Sequence, residues 1–126
     1  MKLNKLITAA ALLMAAAPAL AANWVYVTTN DVGSDYYYDS DTIQRSGNQV
    51  TFWQKTDHSR DKTVKERESI DRYRFDCAMR TRTLLQVTNY YPDGNNESYT
   101  FSTYEQKENA VIPDTAGESM LEAVCR

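Results

Sequence analysis

From Asn23 onward, short runs rich in Tyr, Val, Thr, Phe and Trp are broken by Gly, Pro, Asn and Asp, the pattern of antiparallel strands joined by turns. The runs fall near Trp24–Thr28, Tyr36–Asp39, Gln49–Thr56, Val64–Asp76, Arg80–Tyr91 and Ser98–Glu105, which predicts five or six strands. Ser46-Gly47-Asn48 and Pro92-Asp93-Gly94-Asn95-Asn96 read as hairpin connections, because Gly and Asn accept positive φ and Pro fixes the entry. Alternation assigns faces: Tyr73, Phe75 and Cys77 share one side of the fourth strand, Leu85 and Val87 one side of the fifth, and Tyr99 and Phe101 one side of the sixth. These are the expected core. Val64, Ile70, Leu84 and Tyr90 lie opposite them, and Trp53 lies opposite Val50 and Phe52, so the second face is not purely polar and calls for bulges or a partial cover.

Near the end the period changes. Thr115 and Glu118 have capping-box spacing, and Met120, Leu121, Val124 and Cys125 then form a single apolar stripe at helical spacing. At the other end, Lys2 and Lys5 precede an apolar run from Leu6 to Ala17 and a small-residue exit at Ala19-Leu20-Ala21, the layout of a cleavable secretory signal over residues 1–21. The run is shorter than the ~20 residues a helix needs to cross a bilayer, so no membrane span is expected. No cysteine stands at the exit to carry a lipid, which points to a periplasmic or secreted protein and leaves display at the outer surface without a lipobox. Residues 22–126 have the size of one domain. In the oxidising compartment that export implies, the only two cysteines, Cys77 and Cys125, are expected to pair. The fold class expected is therefore α+β: a single antiparallel β-sheet of five or six strands with a C-terminal α-helix tied to the sheet by that disulfide.

Charge narrows the function. The whole chain carries a formal charge of −3, and removal of Lys2 and Lys5 makes the mature domain more acidic still, the wrong sign for a general nucleic-acid or anionic-membrane binder. The one histidine, His58, sits between Asp57 and Ser59 in an expected surface loop, where nothing suggests a convergent nucleophile and base. With both cysteines oxidised, a zinc site lacks soft ligands. Asp31, Asp35, Asp39 and Asp41 crowd the second strand but lack the Gly and distal Glu of an EF-hand, and read as turn and capping chemistry. No phosphate loop or nucleophile elbow occurs. The expectation is a protein that is not an enzyme, with no cofactor and no metal.

Two features remain. Lys62, Lys65, Arg67, Arg72, Arg74, Arg80 and Arg82 concentrate positive charge in one stretch, interleaved with Glu66, Glu68, Asp71 and Asp76. Such a stretch is either a stripe for an acidic partner or a solvated ladder of cross-strand charge pairs. The chain also has nine tyrosines, three of them consecutive at Tyr36, Tyr37 and Tyr38, and strand alternation sends Tyr37 away from its neighbours. Tyrosine outside a core suits an interface.

Trp24, Tyr38-Asp39 leading to Ile43, Val50 with Trp53-Gln54-Lys55, Asp76-Cys77, Tyr90-Tyr91 before Gly94, and Ile112-Pro113-Asp114-Thr115 with Glu118, Leu121 and Val124-Cys125 together resemble the surface-adhesin protein E family over the mature chain. The resemblance implies a dimeric, non-enzymatic exported binding protein that holds host matrix or serum proteins such as vitronectin, laminin or plasminogen through a basic segment around the first cysteine. Carried onto this chain, that segment gives Lys65, Arg67, Arg72, Tyr73, Arg74, Arg80 and Arg82 as candidate partner-binding residues. Glu66, Glu68 and Asp71 depart from a purely basic stretch. The competing expectation is a periplasmic accessory or inhibitor protein acting on a cell-envelope enzyme.

Overall fold

The computed structural model describes residues 21–126, so the expected signal falls outside the described residues except for Ala21. The chain forms β1 (Trp24–Thr29), β2 (Asp35–Asp39), β3 (Gln44–Ser46), β4 (Gln49–Asp57), β5 (Glu68–Asp76), β6 (Thr81–Tyr90), β7 (Asn96–Thr100), β8 (Glu108–Ala110) and the helix α1 (Ala116–Val124). All pairings are antiparallel, in the order β1-β2-β4-β5-β6-β7, with β3 also on β4 and β8 also on β6. Eight strands stand where five or six were expected, because two flanks are each interrupted. β2 covers Gln54–Asp57 of β4 and β3 covers Gln49–Thr51, while β7 covers Gln86–Tyr90 of β6 and β8 covers Thr81–Thr83. Three-residue strands such as β3 and β8 are too short for alternation to show.

The two interruptions have local causes. Asp39 accepts hydrogen bonds from Asn23 N–H, Asp41 N–H and Thr42 Oγ1, which turns the chain out of β2. Between β7 and β8 a 3-10 turn spans Thr103–Glu105, where Ser102 and Glu105 form a reciprocal capping box. The sixth strand therefore ends at Thr100, short of the expected Glu105. Likewise β5 begins at Glu68, after the loop that contains Val64. Gly47 (φ 58°) and Gly94 (φ 88°) take the left-handed conformations that their hairpins require.

α1 lies over β1 and β2 on one side of the sheet, here the inner face. Val50, Phe52, Phe75, Val111, Met120, Leu121 and Val124 are buried there, with Val27, Tyr36, Tyr38, Tyr73 and Cys77 packed around them. Three ties hold the helix. Cys77, just past β5, is bridged to Cys125 at its C-terminus, Arg45 Nη1 donates to the Val124 carbonyl at 2.5 Å, and Arg80 pairs with Glu118 in its first turn at 3.0 Å. Thr115 caps it as expected, accepting from Glu118 N–H, but Glu118 reaches back to Asp114 N–H and not to the cap itself. Among the described residues no helix is long and apolar enough to cross a membrane.

Not every expected core residue is in the core. The register slips between Arg72 and Tyr73, so that Arg72 faces Gln86 and Tyr73 faces Leu84, with Leu85 bulged between them. Leu85 and Val87 are only half-buried. Tyr99 is 49 % exposed, because β7 is an edge strand and its side chain reaches no helix; its hydroxyl bonds Glu105 instead.

Phe75 touches Phe52 edge-on at 4.9 Å and Tyr73 at 5.7 Å, directly beside the bridge. Phe75→Ala should lower stability by about 3–5 kcal/mol in urea titration followed by far-UV circular dichroism. A loss under 1 kcal/mol would mean that this cluster is not the centre of the core.

Candidate partner-binding site

Strand alternation divides the candidate basic residues. Arg72 and Arg74 point to the outer face, away from α1, on the side of Trp53. Tyr73 and Arg82 point to the inner face, where the Arg82 guanidinium lies 5.8 Å from the Tyr73 ring. Arg80 occupies the β5–β6 turn with φ 54° and is tied to Glu118. Lys65 and Arg67 are exposed in the loop before β5, where Arg67 N–H donates to the Tyr90 carbonyl. Of the seven candidates, only Arg72 and Arg74 thus share the outer face, at the centre of the sheet.

Around them is an aromatic surface. Arg72 pairs in register with Trp53 and stacks over its ring at 5.8 Å. Lys55, two residues along β4, lies 5.0 Å over Trp24 and 4.7 Å over Tyr37, and Tyr37 meets Tyr26 edge-on at 5.7 Å. Tyr37 therefore does leave the face of Tyr36 and Tyr38, as alternation predicts. The patch runs across β1, β2, β4 and β5 and contains two cations, Lys55 and Arg72, on three aromatic rings.

The expected ladder of cross-strand charge pairs does not form here. Among the described residues, the ion pairs between permanently charged side chains are Arg60–Asp35 and Arg80–Glu118, and His58 Nδ1 lies 4.0 Å from Asp61 Oδ2. Asp76 accepts from Ala78 and Met79 N–H in the turn, Asp71 is buried on the inner face, and Glu68 stands opposite Asp57 and Tyr90. Arg74 has one long contact, 3.5 Å to Gln106 Oε1. Among the described residues, both guanidiniums at the patch centre are left without a carboxylate. Lys55, Trp24 and Tyr26 are not among the sequence candidates, and Tyr37 is there only as a tyrosine outside the core; the available signal was alternation, which puts Lys55 on the face of Trp53 and Trp24 on the face of Tyr26.

A profile of surface-adhesin protein E matches residues 24–126. The chain belongs to the surface-adhesin protein E family. Its fold is that of Haemophilus influenzae protein E: crystal form II superposes with a TM-score of 0.58 at 17% identity, covering 81% of this chain and 86% of that one. The selenomethionine form gives 0.56 at 16%, covering 84% and 92%, and protein E from non-typeable H. influenzae gives 0.52 at 17%, covering 79% and 74%. No curated protein sequence matches the chain.

In this adhesin E domain the inner face carries polar chemistry that the sequence hid. His58 is not a free surface histidine: Nδ1 meets Ser34 Oγ at 2.8 Å and Nε2 meets Ser69 Oγ at 3.2 Å. Ser34 Oγ also donates to Asp61 Oδ2 at 2.8 Å, and Ser69 bonds Asn89. These are the residue types of a hydrolase triad, yet Ser34 lies between histidine and carboxylate and has no exposed surface, so no substrate reaches its oxygen. The chain of bonds pins the β1–β2 turn to the β4–β5 loop. Hydrogen bonds from Thr63, joined by Ser34, hold Asp61 below the usual carboxylate range against the opposing effect of burial. Among the described residues no group of three or more His, Cys, Asp or Glu side chains converges as metal ligands.

Asp71, in register with Gln54 and Val87, has Oδ1 buried without a hydrogen-bond partner, and burial pushes its pKa up to about 7. A raised carboxyl pKa means that the folded state holds the proton longer than the unfolded chain, so its stabilising effect is complete below about pH 4 and is lost as pH rises to about 7. Asp71→Asn should therefore be more stable than wild type at pH 8, by up to about 4 kcal/mol, with the gap closing at pH 4. Parallel stability profiles for the two proteins would remove Asp71 from this role.

Proposed function

We propose that this chain is a non-enzymatic exported binding protein of the adhesin E type, which holds a protein partner on the outer face of its sheet. The carrying observation is the pair Arg72 and Arg74, free of any carboxylate among the described residues and set against Trp53. Arginine and large aromatics supply the high-energy contacts of protein interfaces, and a desolvated guanidinium that is not already paired can be matched by an acidic group of the partner. The family points to host matrix or serum proteins as partners, namely vitronectin, laminin or plasminogen, and to a homodimer as the binding unit. Export to the periplasm or beyond, through the signal at residues 1–21, places the domain where its bridge forms.

The test is surface-plasmon binding of the mature chain to immobilised vitronectin, laminin and plasminogen, at low and physiological salt. Trp53→Ala, and Arg72→Glu with Arg74→Glu, are expected to weaken binding about tenfold or more and to flatten its salt dependence. Variants that bind as wild type would exclude the outer face. Absence of host-protein binding together with capture of an envelope enzyme would favour the accessory or inhibitor reading.

A further inference from the structure

A second surface lies on the opposite side of the sheet. Between the first turn of α1 and the β1–β2 turn is a cleft of about 620 Å3, with Thr28, Asn30, Tyr36, Gln54 and Arg82 in its walls and floor. This volume suits a small molecule or a few residues of peptide. Its shape is preset: Asn30 accepts from Val32 and Ser34 N–H and donates to Tyr36 Oη, which fixes the turn that forms one wall.

The polar groups in the cleft are built and unused. Arg82 is held by stacking on Tyr73, and among the described residues it has no carboxylate partner; the arginine side-chain bonds there belong to Arg45, Arg60, Arg74 and Arg80. Its guanidinium lies against Gly117, where an added Cβ would be 3.1 Å from Nη1, so glycine is what lets the arginine reach the helix end. Ala116 and Gly117 are the first two residues of α1, whose amides find no acceptor within the helix. On the floor, Gln54 is only 6 % exposed, and among the described residues its carboxamide has just a 3.4 Å contact to Thr56 Oγ1, which leaves Oε1 and an amide hydrogen without a partner there, beside the cleft.

We propose that this cleft binds the carboxylate end of a short peptide. The Arg82 fork and the Ala116 and Gly117 amides are donors suited to the two carboxylate oxygens. The Gln54 carboxamide and the Tyr36 hydroxyl meet the last peptide groups. Nearby acids select the charge of the ligand. Glu118 is engaged by Arg80 and Asp114 N–H, while exposed Asp31 and Asp114 on the rim repel a second negative charge and favour a peptide over a phosphate or a dicarboxylate.

Titrating the 15N-labelled mature chain with trialanine should shift the Ala116 and Gly117 amides and the Arg82 Nε resonance saturably at millimolar peptide. Trialanine amide and inorganic phosphate should each bind about tenfold more weakly, and Arg82→Gln should lower affinity for the acid about tenfold. Gly117→Ala, which crowds Arg82, should weaken binding in the same direction, whereas Arg72→Glu with Arg74→Glu should leave it unchanged. Equal binding of acid and amide, tighter binding of phosphate, wild-type affinity in a folded Arg82→Gln protein, or shifts confined to other residues would overturn the proposal. Because the outer-face variant serves as the control, loss of one site is distinguishable from loss of the other.

Discussion

The docking of α1 on the sheet is the constraint from which the rest of the molecule follows. A nine-residue helix is too short to persist alone in water, and this one is secured at both ends. Cys125 and the Val124 carbonyl are held by Cys77 and Arg45, and Glu118 is held by Arg80. Once the helix is seated, Phe52, Phe75, Met120 and Leu121 are closed off from water, and the opposite face of the same strands is left without a cover. A domain of this size has one core, and the side on which it is built decides which side is free for other proteins.

β5 shows how one strand serves both sides. Phe75 and Tyr73 go into the core while Arg72 and Arg74 stand outside, and the bulge against Leu85 keeps this division despite a slip in register. Farther along, the inner face changes from apolar to polar at Asp71 and Ser69, beyond the reach of the helix. Water is replaced there by the Ser34, His58, Asp61, Ser69 and Asn89 bonds, except at Asp71, whose Oδ1 has no partner. A buried carboxyl of this kind is tolerated by retaining its proton.

Much of this was readable from pattern, and the failures have physical reasons. The long strands, both hairpins, the capped helix and the bridge each leave a local signal: alternation, a Gly at positive φ, an apolar stripe, an even cysteine count. The short strands β3 and β8 and the Ser102–Glu105 turn are below the length at which periodicity is visible. Tyr99 alternates like a core residue but lies on an edge, and composition does not tell an edge from a centre. The basic segment is visible as charge, yet contiguity in sequence is not contiguity in space: alternation, a turn and a loop scatter seven candidate residues among four regions, and the residues that complete the outer patch, Lys55, Trp24, Tyr26 and Tyr37, come from other strands. The bonds of His58 leave no local signal, because its partners Ser34 and Ser69 are 24 and 11 residues away.

Membership of the adhesin E family and the protein E fold fit a small sheet that presents one face and seals the other. That division depends on the bridge holding α1 in place. Amide hydrogen exchange of the mature chain, oxidised and after reduction of Cys77–Cys125, tests this most directly. The account predicts that reduction strips protection from Met120–Val124 while the central amides of β4, β5 and β6 remain slow to exchange. If the helix amides kept their full protection in the reduced protein, the bridge would not be what holds the helix on the sheet, and the account would be contradicted.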